Sequence, residues 1–216
     1  MPRCCASCGR IGADGVLCSP CRMALPWLEP AQCIRPARGP TPKSLAVVAL
    51  QGEARSWIHR FKYPGRGLMA LDPSAMGVAR FLARTLGARA EIAAGDWIVP
   101  IPLHPRRYRQ RGFNPSALLA RELARLGGNP ANPRWLVRVR ATSPQAGLDA
   151  KSRRCNVAGA FACRPIHRSL PDRVWLVDDV TTTGATLAAA GEALRSAGVR
   201  EVIGLCLART LGGGER

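Results

Sequence analysis

The sequence predicts an α/β fold in which a parallel sheet is flanked by helices, with a small cysteine-containing unit at the N-terminus. The first observation is that the apolar run 174–177 ends in two acids, after which a polar loop leads into the helical run 187–197. An apolar run of this length before a loop and a helix is typical of a buried parallel strand. The second observation is the series of short apolar and amphipathic runs along the rest of the chain, and the third is a pair of Cys-x-x-Cys turns near the start.

Length and composition bound the kind of protein. With 216 residues, of which 47% are hydrophobic, the chain can bury one sizeable core and carry a small appendage. Its apolar runs are too short to span a bilayer, and the N-terminal residues lack the apolar segment of a secretory signal. We therefore expect a cytoplasmic protein without a membrane span, in which the nine cysteines are metal ligands or buried thiols rather than disulfides.

The charge is strongly basic. There are 32 basic residues against 14 acidic ones, which gives a net charge of +18 and a pI near 11.1, and all but three of the basic residues are arginines. Such a surface favours polyanions, nucleic acid above all. The alternative is a GC-rich coding bias, but that bias explains arginine in place of lysine better than it explains the excess of basic over acidic residues. Nucleic-acid contact is therefore favoured.

The N-terminal cysteines are spaced as zinc ligands. Two Cys-x-x-Cys turns are separated by nine residues and comprise Cys5, Cys8, Cys18 and Cys21. Four such thiolates can close tetrahedrally around zinc, and a segment this short and polar cannot form a core of its own. The alternative is a flexible tail with unliganded thiols, and Cys4 could compete as a ligand. We assign residues 1–24 to a four-cysteine zinc knuckle.

The remaining organisation is predicted from the positions of proline and glycine and from the spacing of apolar residues. Five prolines within 25–43 predict an extended linker, residues 44–210 form the main domain, and the glycines of 211–216 predict a flexible tail. Strands are predicted at 45–50, 96–103, 135–140, 173–178 and 201–207, and helices at 53–63, 74–86, 116–126 and 185–197. Asn114 and Pro115 suit the N-cap and first turn of the third helix. The long polar segment 141–160 is typical of a lid or binding loop.

Two clusters of polar residues indicate an anionic ligand. Asp178 and Asp179 fall at the carboxyl end of a predicted parallel strand, where α/β sheets bind ligands. The following loop opens onto a helix N-terminus, which suits a phosphate. A sugar phosphate, in particular a ribose 5-phosphate, satisfies both halves, although an ordinary strand-to-helix crossover is the alternative. The dense basic run 104–111 is either a solvated loop or an anion contact, and mutual repulsion of its charges favours the anion.

These residues resemble known families. Segment 173–186 resembles the phosphoribosyl pyrophosphate motif of type I phosphoribosyltransferases, and most of the chain resembles the ComF family of competence proteins. The ComF resemblance is carried by the N-terminal cysteines and by FKYPGR (61–66), VPIPLHPRRYRQRGFNP (99–115), R-x-T-x-x-Q (140–145), R-x-x-N-V-x-x-A-F (153–161) and LVDDVTTTGAT (176–186). It departs from the family in retaining only Cys33 of a second cysteine pair and in having Pro115 where glutamine is common.

The resemblance implies a type I phosphoribosyltransferase-like parallel sheet flanked by helices, with a zinc-binding N-terminus, and a role in uptake of transforming DNA. It assigns Asp178 and Asp179 to the ribose hydroxyls and to catalysis, and the turn containing Pro102 and Leu103 to pyrophosphate. The residues expected to hold the 5-phosphate are Val180, Thr181, Thr182, Thr183, Gly184, Ala185 and Thr186. The residues expected to contact nucleic acid or another anion are Lys62, Arg106, Arg107, Arg109, Arg111, Arg140, Gln145, Arg153 and Asn156.

Three functions are compatible with these features. The first is a phosphoribosyl pyrophosphate-binding protein of DNA uptake that contacts single-stranded DNA and proteins of the competence machinery, with structural zinc and with magnesium accompanying the ligand. The second is an active phosphoribosyltransferase with an unidentified acceptor. The third is a regulator whose nucleic-acid binding responds to phosphoribosyl pyrophosphate. No acceptor-base pattern is evident and general-base candidates are few, which favours binding over turnover.

Overall fold

The computed structural model describes residues 4–5, 7–11, 16–63, 73–142, 150–164 and 169–211. None of the helices in these ranges is long and apolar enough to cross a bilayer. The elements in chain order are α1 (Ser19–Met23), α2 (Pro30–Cys33), β1 (Ile34–Arg35), β2 (Ser44–Ala49), α3 (Gly52–Lys62), α4 (Pro73–Arg89), β3 (Trp97–Pro100), α5 (Pro105–Arg111), α6 (Pro115–Gly127), β4 (Leu136–Arg138), α7 (Ala150–Val157), β5 (Phe161–Cys163), β6 (Arg173–Thr181), α8 (Ala185–Ser196) and β7 (Glu201–Arg209).

A five-stranded sheet forms the centre of the molecule, in the order β1-β2-β7-β6-β3. The four strands from β2 to β3 are parallel, and β1 adds one antiparallel edge. Val177 of β6 lies between Leu205 of β7 and Pro100 of β3, so the carboxyl ends of three parallel strands meet at one edge. This confirms the predicted α/β class with a mostly parallel sheet flanked by helices.

The sheet separates two apolar cores. Successive residues of β6 alternate between them, because side chains in a strand point to opposite faces. Trp175 and Val177 pack with the helices α3, α4 and α6, while Val174 and Leu176 pack with α8 and the β4–β5 hairpin. The largest fully buried side chains of the first core are Trp57, Leu82, Leu86, Ile98, Leu119, Leu123 and Leu205.

Residues 25–43 are ordered differently from the extended linker that their prolines predict. Pro30 starts the short helix α2, whose N-cap Glu29 and third residue Gln32 form a reciprocal capping box. The following β1 pairs with β2, and Leu25, Leu28 and Cys33 are buried. Proline is tolerated in the first turn of a helix, so its presence there did not prevent regular structure.

The basic run 104–111 is helical rather than a loop. The His104 side chain accepts a hydrogen bond from the backbone N–H of Arg106 and caps α5, and Pro105 occupies its first turn. Gly112 ends the helix in a left-handed conformation with φ of +79°. As a result, the arginines of α5 are distributed around a helix and face different surroundings.

The predicted lid segment 141–160 is only partly described. Its residues 150–157 form α7, whereas residues 143–149, including Gln145, lie outside the described residues, as does the side chain of Arg153. The predicted strand before it is present as β4, which pairs with β5 in a separate antiparallel hairpin. Residues 64–66 of the FKYPGR block and most of the predicted tail 211–216 also lie outside the described residues.

A buried carboxylate joins β3 to β6 at the end of the sheet opposite the strand-end acids. Asp96 Oδ2 accepts hydrogen bonds from Arg173 Nε at 2.9 Å, Trp175 Nε1 at 2.7 Å and the Ala93 N–H at 2.8 Å. Burial alone would raise the pKa of Asp96, but these donors outweigh it and the pKa is lowered. The ionised carboxylate therefore contributes stability that is lost only as the pH falls below the usual aspartate range.

We expect Gly204→Ala to destabilise the fold. A methyl group on Gly204 would lie 2.9 Å from Leu187 Cδ1 and 3.0 Å from Ser44 Cβ, so α8 would have to move off the sheet. Overpacking of this kind lowers the free energy of unfolding by about 1–3 kcal/mol, measurable by urea denaturation.

Gly191→Ala is the matched control. Its nearest neighbour would be the flexible end of Arg195 at 3.4 Å, and alanine in place of glycine stabilises a helix by up to about 1 kcal/mol. Equal effects of the two substitutions would contradict the close packing of α8 on Gly204.

Candidate ligand pocket and cysteine cluster

A half-open pocket of about 480 Å³ lies at the carboxyl ends of β3 and β6. The end of α3, the inner face of α5 and the start of α6 complete its wall. The lining residues are Lys62, Tyr63, Ile101, Leu103, Arg107, Gln110, Arg111, Pro115, Ser116, Arg138, Asp178, Asp179, Val180 and Thr186. The pocket therefore combines two acids with a cluster of cations at the edge where parallel sheets bind ligands.

Both acids belong to β6 itself, because the strand continues to Thr181 rather than ending at Asp178 as the sequence predicts. Asp178 Oδ1 accepts hydrogen bonds from Ser116 Oγ at 3.1 Å and from the Asp179 N–H at 2.9 Å. Asp179 is 7% exposed, and its Oδ1 lies 2.9 Å from Lys62 Nζ. The strand thus fixes the two carboxylates in different directions, one toward α6 and the other toward α3.

Burial and the neighbouring charges shift the pKa values of Asp178 and Lys62. Burial, and then the neighbouring charge of Asp179, raises the pKa of Asp178 to about 7, with Lys62 and Ser116 acting in the opposite direction. Burial alone would lower the pKa of Lys62, but Asp179 and then Asp178 outweigh it and the pKa is raised. At neutral pH the site holds a fully protonated Lys62 and an Asp178 that is close to its midpoint.

Three arginines form the cationic side of the pocket. The Arg111 guanidinium lies over the Tyr63 ring at 4.8 Å, and Arg107 lines the pocket from the same face of α5. Arg138 reaches it from β4, stacked 5.3 Å from the Phe161 ring and donating to Thr142 Oγ1. Its Nε is buried without a hydrogen-bond partner in the described part of the chain. Burial, followed by the charges of Arg107 and Arg140, lowers the pKa of Arg138, so an anion here would relieve both costs.

The loop after β6 leads into α8 through a left-handed residue. Gly184 has φ of +81°, and a Cβ there would lie 2.6 Å from Thr41 Cγ2, so glycine is required on both grounds. The loop is held by Arg35, which donates to the Thr182 carbonyl at 2.9 Å, and by the Thr210 N–H, which donates to the Thr181 carbonyl at 3.1 Å. Thr186, in the first turn of α8, lines the pocket, so the positive end of that helix borders it.

The structure brings together only part of the predicted contact set. The pocket is lined by residues predicted to bind phosphoribosyl pyrophosphate and by residues predicted to contact nucleic acid or another anion. These are Lys62, Leu103, Arg107, Arg111, Asp178, Asp179, Val180 and Thr186. Arg106 and Arg109 are exposed on the outer side of α5, and Pro102 is not among the lining residues. Arg140 donates to the carbonyls of Asn156 at 3.1 Å and Ala158 at 2.6 Å, so it ties α7 to β4.

Ser116 and Arg138 are the main residues that the sequence analysis missed. Ser116 follows the predicted N-cap Asn114, and its contact with Asp178 joins residues 62 positions apart. The sequence did contain a signal for Ser116, because its hydroxyl lies in the first turn of a helix that starts beside the end of a strand. Arg138 had no such signal, because its position depends on how the β4–β5 hairpin folds against the sheet.

The four predicted cysteines form a compact cluster. The sulfurs of Cys5, Cys8, Cys18 and Cys21 all lie within 4.8 Å of one another, and those of Cys8 and Cys18 are 3.7 Å apart. Sulfurs bound to a tetrahedral zinc at about 2.3 Å lie about 3.8 Å apart, so the arrangement can hold a zinc ion. Burial alone would raise the pKa of Cys5, but N–H groups of Cys18, Cys8 and Ser7 lower it to about 6. Cys4 is not a member of the group.

The cysteine cluster is attached to the main domain. The Trp57 indole N–H on α3 donates to Ser7 Oγ at 3.0 Å, and Trp57 itself is only 2% exposed. Cys5 and Leu17 are buried in the same apolar core as α3, α4 and α6. Five residues after Trp57, the same helix presents Lys62 to the pocket, so α3 contacts both features.

The chain is similar to curated proteins named for competence or for DNA utilization. No family model matches the chain. Competence protein F of Haemophilus influenzae is 35% identical over 146 residues, which is 67% of this chain and 63% of that protein. DNA utilization protein YhgH of Salmonella typhimurium is 34% identical over 214 residues, and that of Escherichia coli K12 is 33% identical over 213; each match covers 96% of this chain and 90% of the relative.

A solved structure, TT1426 from Thermus thermophilus, aligns with a TM-score of 0.36 at 16% identity over 64% of this chain and 84% of that one. The curated relatives are decisive, because their similarity extends over nearly the whole chain. The chain belongs to the ComF family of competence proteins.

Proposed function

We propose that this chain binds phosphoribosyl pyrophosphate in the strand-end pocket and acts in DNA uptake, where it contacts single-stranded DNA. The observation that carries the ligand assignment is the meeting of two carboxylates, Lys62 and three arginines in one pocket bordered by a helix N-terminus. The role in DNA uptake is supported by relatives named for competence and DNA utilization.

The pocket offers a separate partner for each part of this ligand. Carboxylates accept hydrogen bonds from ribose hydroxyls, which suits Asp178 and Asp179. The loop of residues 181–186 and the positive end of α8 suit the 5-phosphate. Arg107, Arg111 and Arg138 suit the pyrophosphate, with the turn at Pro102 and Leu103 beside them, because guanidinium groups bind phosphate oxygens in a bidentate manner.

Ligand entry requires an exchange of partners at Lys62. In the structure its ammonium group is paired with Asp179 at 2.9 Å, which occupies an oxygen that the ribose would use. The phosphates of the ligand compete for Lys62, and its departure frees Asp179 to accept from a hydroxyl. The buried pair therefore keeps Lys62 and Asp179 neutralised without ligand, and it can be displaced by a ligand that carries both charge and hydroxyls.

Two metals fit the donors present. Zinc suits the four clustered thiols, which would hold it as a structural site. Magnesium prefers oxygen ligands and keeps several waters, so the two pocket carboxylates suit it as outer ligands while phosphate oxygens bind it directly. When bound, magnesium neutralises part of the charge on the pyrophosphate.

The basic surface supports single-stranded DNA as the partner. The net charge is +18, and Arg106 and Arg109 are exposed on α5 while Arg107 and Arg111 of the same helix line the pocket. One helix thus faces both the proposed ligand and the solvent. That arrangement favours, as a second candidate, a regulator in which pocket occupancy alters DNA binding, and it is tested by measuring DNA affinity with and without phosphoribosyl pyrophosphate.

Turnover is a third candidate, favoured by the pKa of Asp178 near 7, which suits a general acid or base at neutral pH. Release of pyrophosphate in the presence of magnesium and candidate acceptors, including single-stranded DNA, tests it. Release that Asp178→Asn abolishes would establish an enzyme, whereas ligand binding without release would establish a binding protein.

We expect Asp178→Asn and Asp179→Asn each to weaken phosphoribosyl pyrophosphate binding about tenfold to a hundredfold, measured by calorimetry with magnesium. The reason is that each substitution replaces a charged acceptor of a sugar hydroxyl with a neutral one. Asp172→Asn is the matched control, because Asp172 is exposed at the other end of β6 and pairs with Arg200. Unchanged affinity in a variant that carries both Asp178→Asn and Asp179→Asn would reject the assignment of these residues to the ribose hydroxyls.

Ligand affinity should rise with pH between about 6 and 8. Because the pKa of Asp178 is raised to about 7, its carboxylate is mostly protonated at the lower limit and mostly ionised at the upper limit. A ligand that needs the ionised form then gains about tenfold in affinity over this range. The phosphates also titrate near pH 6, so the comparison is with Asp178→Asn, whose profile should lack this component. Identical profiles would contradict the role of Asp178.

Metal analysis of the purified chain should find one zinc ion per chain, because four thiolates complete a tetrahedral site. Cys18→Ser with Cys21→Ser should remove the metal and lower the melting temperature, since zinc binding contributes directly to the stability of such a segment. Cys155→Ser is the control, as Cys155 is exposed and outside the cluster. A well-folded wild-type chain free of zinc would rule out the metal site.

A further inference from the structure

Helix α5 separates the ligand pocket from a second cavity. This second cavity, which we call the aromatic groove, has a volume of about 430 Å³, within the range of small-molecule sites. It is lined by Pro100, Tyr108, Phe113, Asn114, Ala117, Leu118, Ala120, Arg121, Ala131 and Pro133. Arg107, Gln110 and Arg111 face the ligand pocket from one side of α5, and Tyr108 faces the aromatic groove from another.

The polar groups of the groove have a simple distribution. Both polar side-chain atoms of Asn114 are engaged, since its Oδ1 accepts from the Ser116 N–H and caps α6, and its Nδ2 donates to the Ile101 carbonyl at 2.9 Å. Arg121 is the charged residue of the lining, and no acid lines the groove in the part of the chain that the structure describes. Tyr108 is 51% exposed, so much of its ring is accessible to a ligand.

The helix that carries Tyr108 is cationic. Arg106 and Arg109 lie on the exposed side of α5 on either side of Tyr108 in the sequence, and α5 itself carries no acidic residue. An accessible aromatic ring on a helix that also carries exposed arginines offers the two groups by which proteins hold single strands, with bases stacked on rings and phosphates on cations. An apolar protein segment would gain nothing from this concentration of positive charge.

We propose that the aromatic groove receives a nucleobase of a single-stranded nucleic acid, stacked on Tyr108, while the adjoining phosphates contact Arg106, Arg109 and Arg121. This rests on the proposed contact with single-stranded DNA and names where a base is held. The base site is separate from the phosphoribosyl pyrophosphate pocket, although α5 contributes to both. Stacking is tolerant of base identity, so the site would not impose a sequence.

The test compares two ligands of equal charge. Binding of a fluorescent oligothymidylate of about 16 nucleotides is measured beside an abasic strand of the same length, which keeps the phosphates and lacks the bases. Tyr108→Leu should weaken binding of the oligothymidylate about fivefold to a hundredfold, the range measured when one stacking ring is removed, and leave binding of the abasic strand unchanged. Tyr108→Phe, which keeps the ring, should retain wild-type affinity for both.

The arginines supply the matched comparison. Arg106→Gln with Arg109→Gln should weaken both strands alike and flatten the dependence of log affinity on log salt by about 0.7 for each phosphate that the variant no longer neutralises. Unchanged affinity of Tyr108→Leu for phosphoribosyl pyrophosphate shows that its fold and pocket are intact.

The outcomes are distinguishable. Equal losses for the two strands in Tyr108→Leu, or no loss for either, would overturn the base site while leaving the proposed DNA contact in place. A wild-type chain that binds neither strand would overturn both proposals together. Selective loss for the oligothymidylate, with wild-type affinity in Tyr108→Phe, supports the base site against a docking surface for another protein.

Discussion

Two adjacent carboxylates at the end of a buried strand repel each other, and the arrangement of the pocket follows from that constraint. Asp178 meets the start of α6 and Asp179 meets the end of α3, so each carboxylate has a different partner. Ser116 donates to the first at 3.1 Å and Lys62 pairs with the second at 2.9 Å. Burial, and then the remaining repulsion from Asp179, raises the pKa of Asp178 to about 7. Three elements distant in sequence are thereby tied to one edge of the sheet.

The contrast between local and distant information explains what the sequence could predict. The strand, loop and helix around Asp178, the N-cap at Asn114 and the four cysteines depend on spacing within a few residues, and the structure contains all of them. Arg138 and Ser116 reach the pocket through contacts that no local pattern encodes. The basic run at 104–111 was ambiguous for a related reason, because charge density does not distinguish a loop from a helix capped by His104.

The distribution of charge around α5 gives the bulk composition a structural meaning. A net charge of +18 by itself allows either coding bias or polyanion binding. In the folded chain, the arginines of this short helix divide between a half-open pocket and open solvent, whereas those at Arg140 and Arg173 are engaged in internal contacts. Some arginines thus face the pocket or the solvent while others hold the chain together, and only the first group is accessible to a partner.

The contact of α3 with the cysteine cluster has a consequence for how this chain can be divided. Trp57 fills the core and directs its indole N–H to Ser7, while Cys5 and Leu17 cover apolar side chains of the same core. Removing the first two dozen residues would therefore expose part of the interior and deprive a buried donor of its acceptor. The N-terminal unit covers part of the main core. A truncation at its boundary in the sequence would therefore damage the main domain as well.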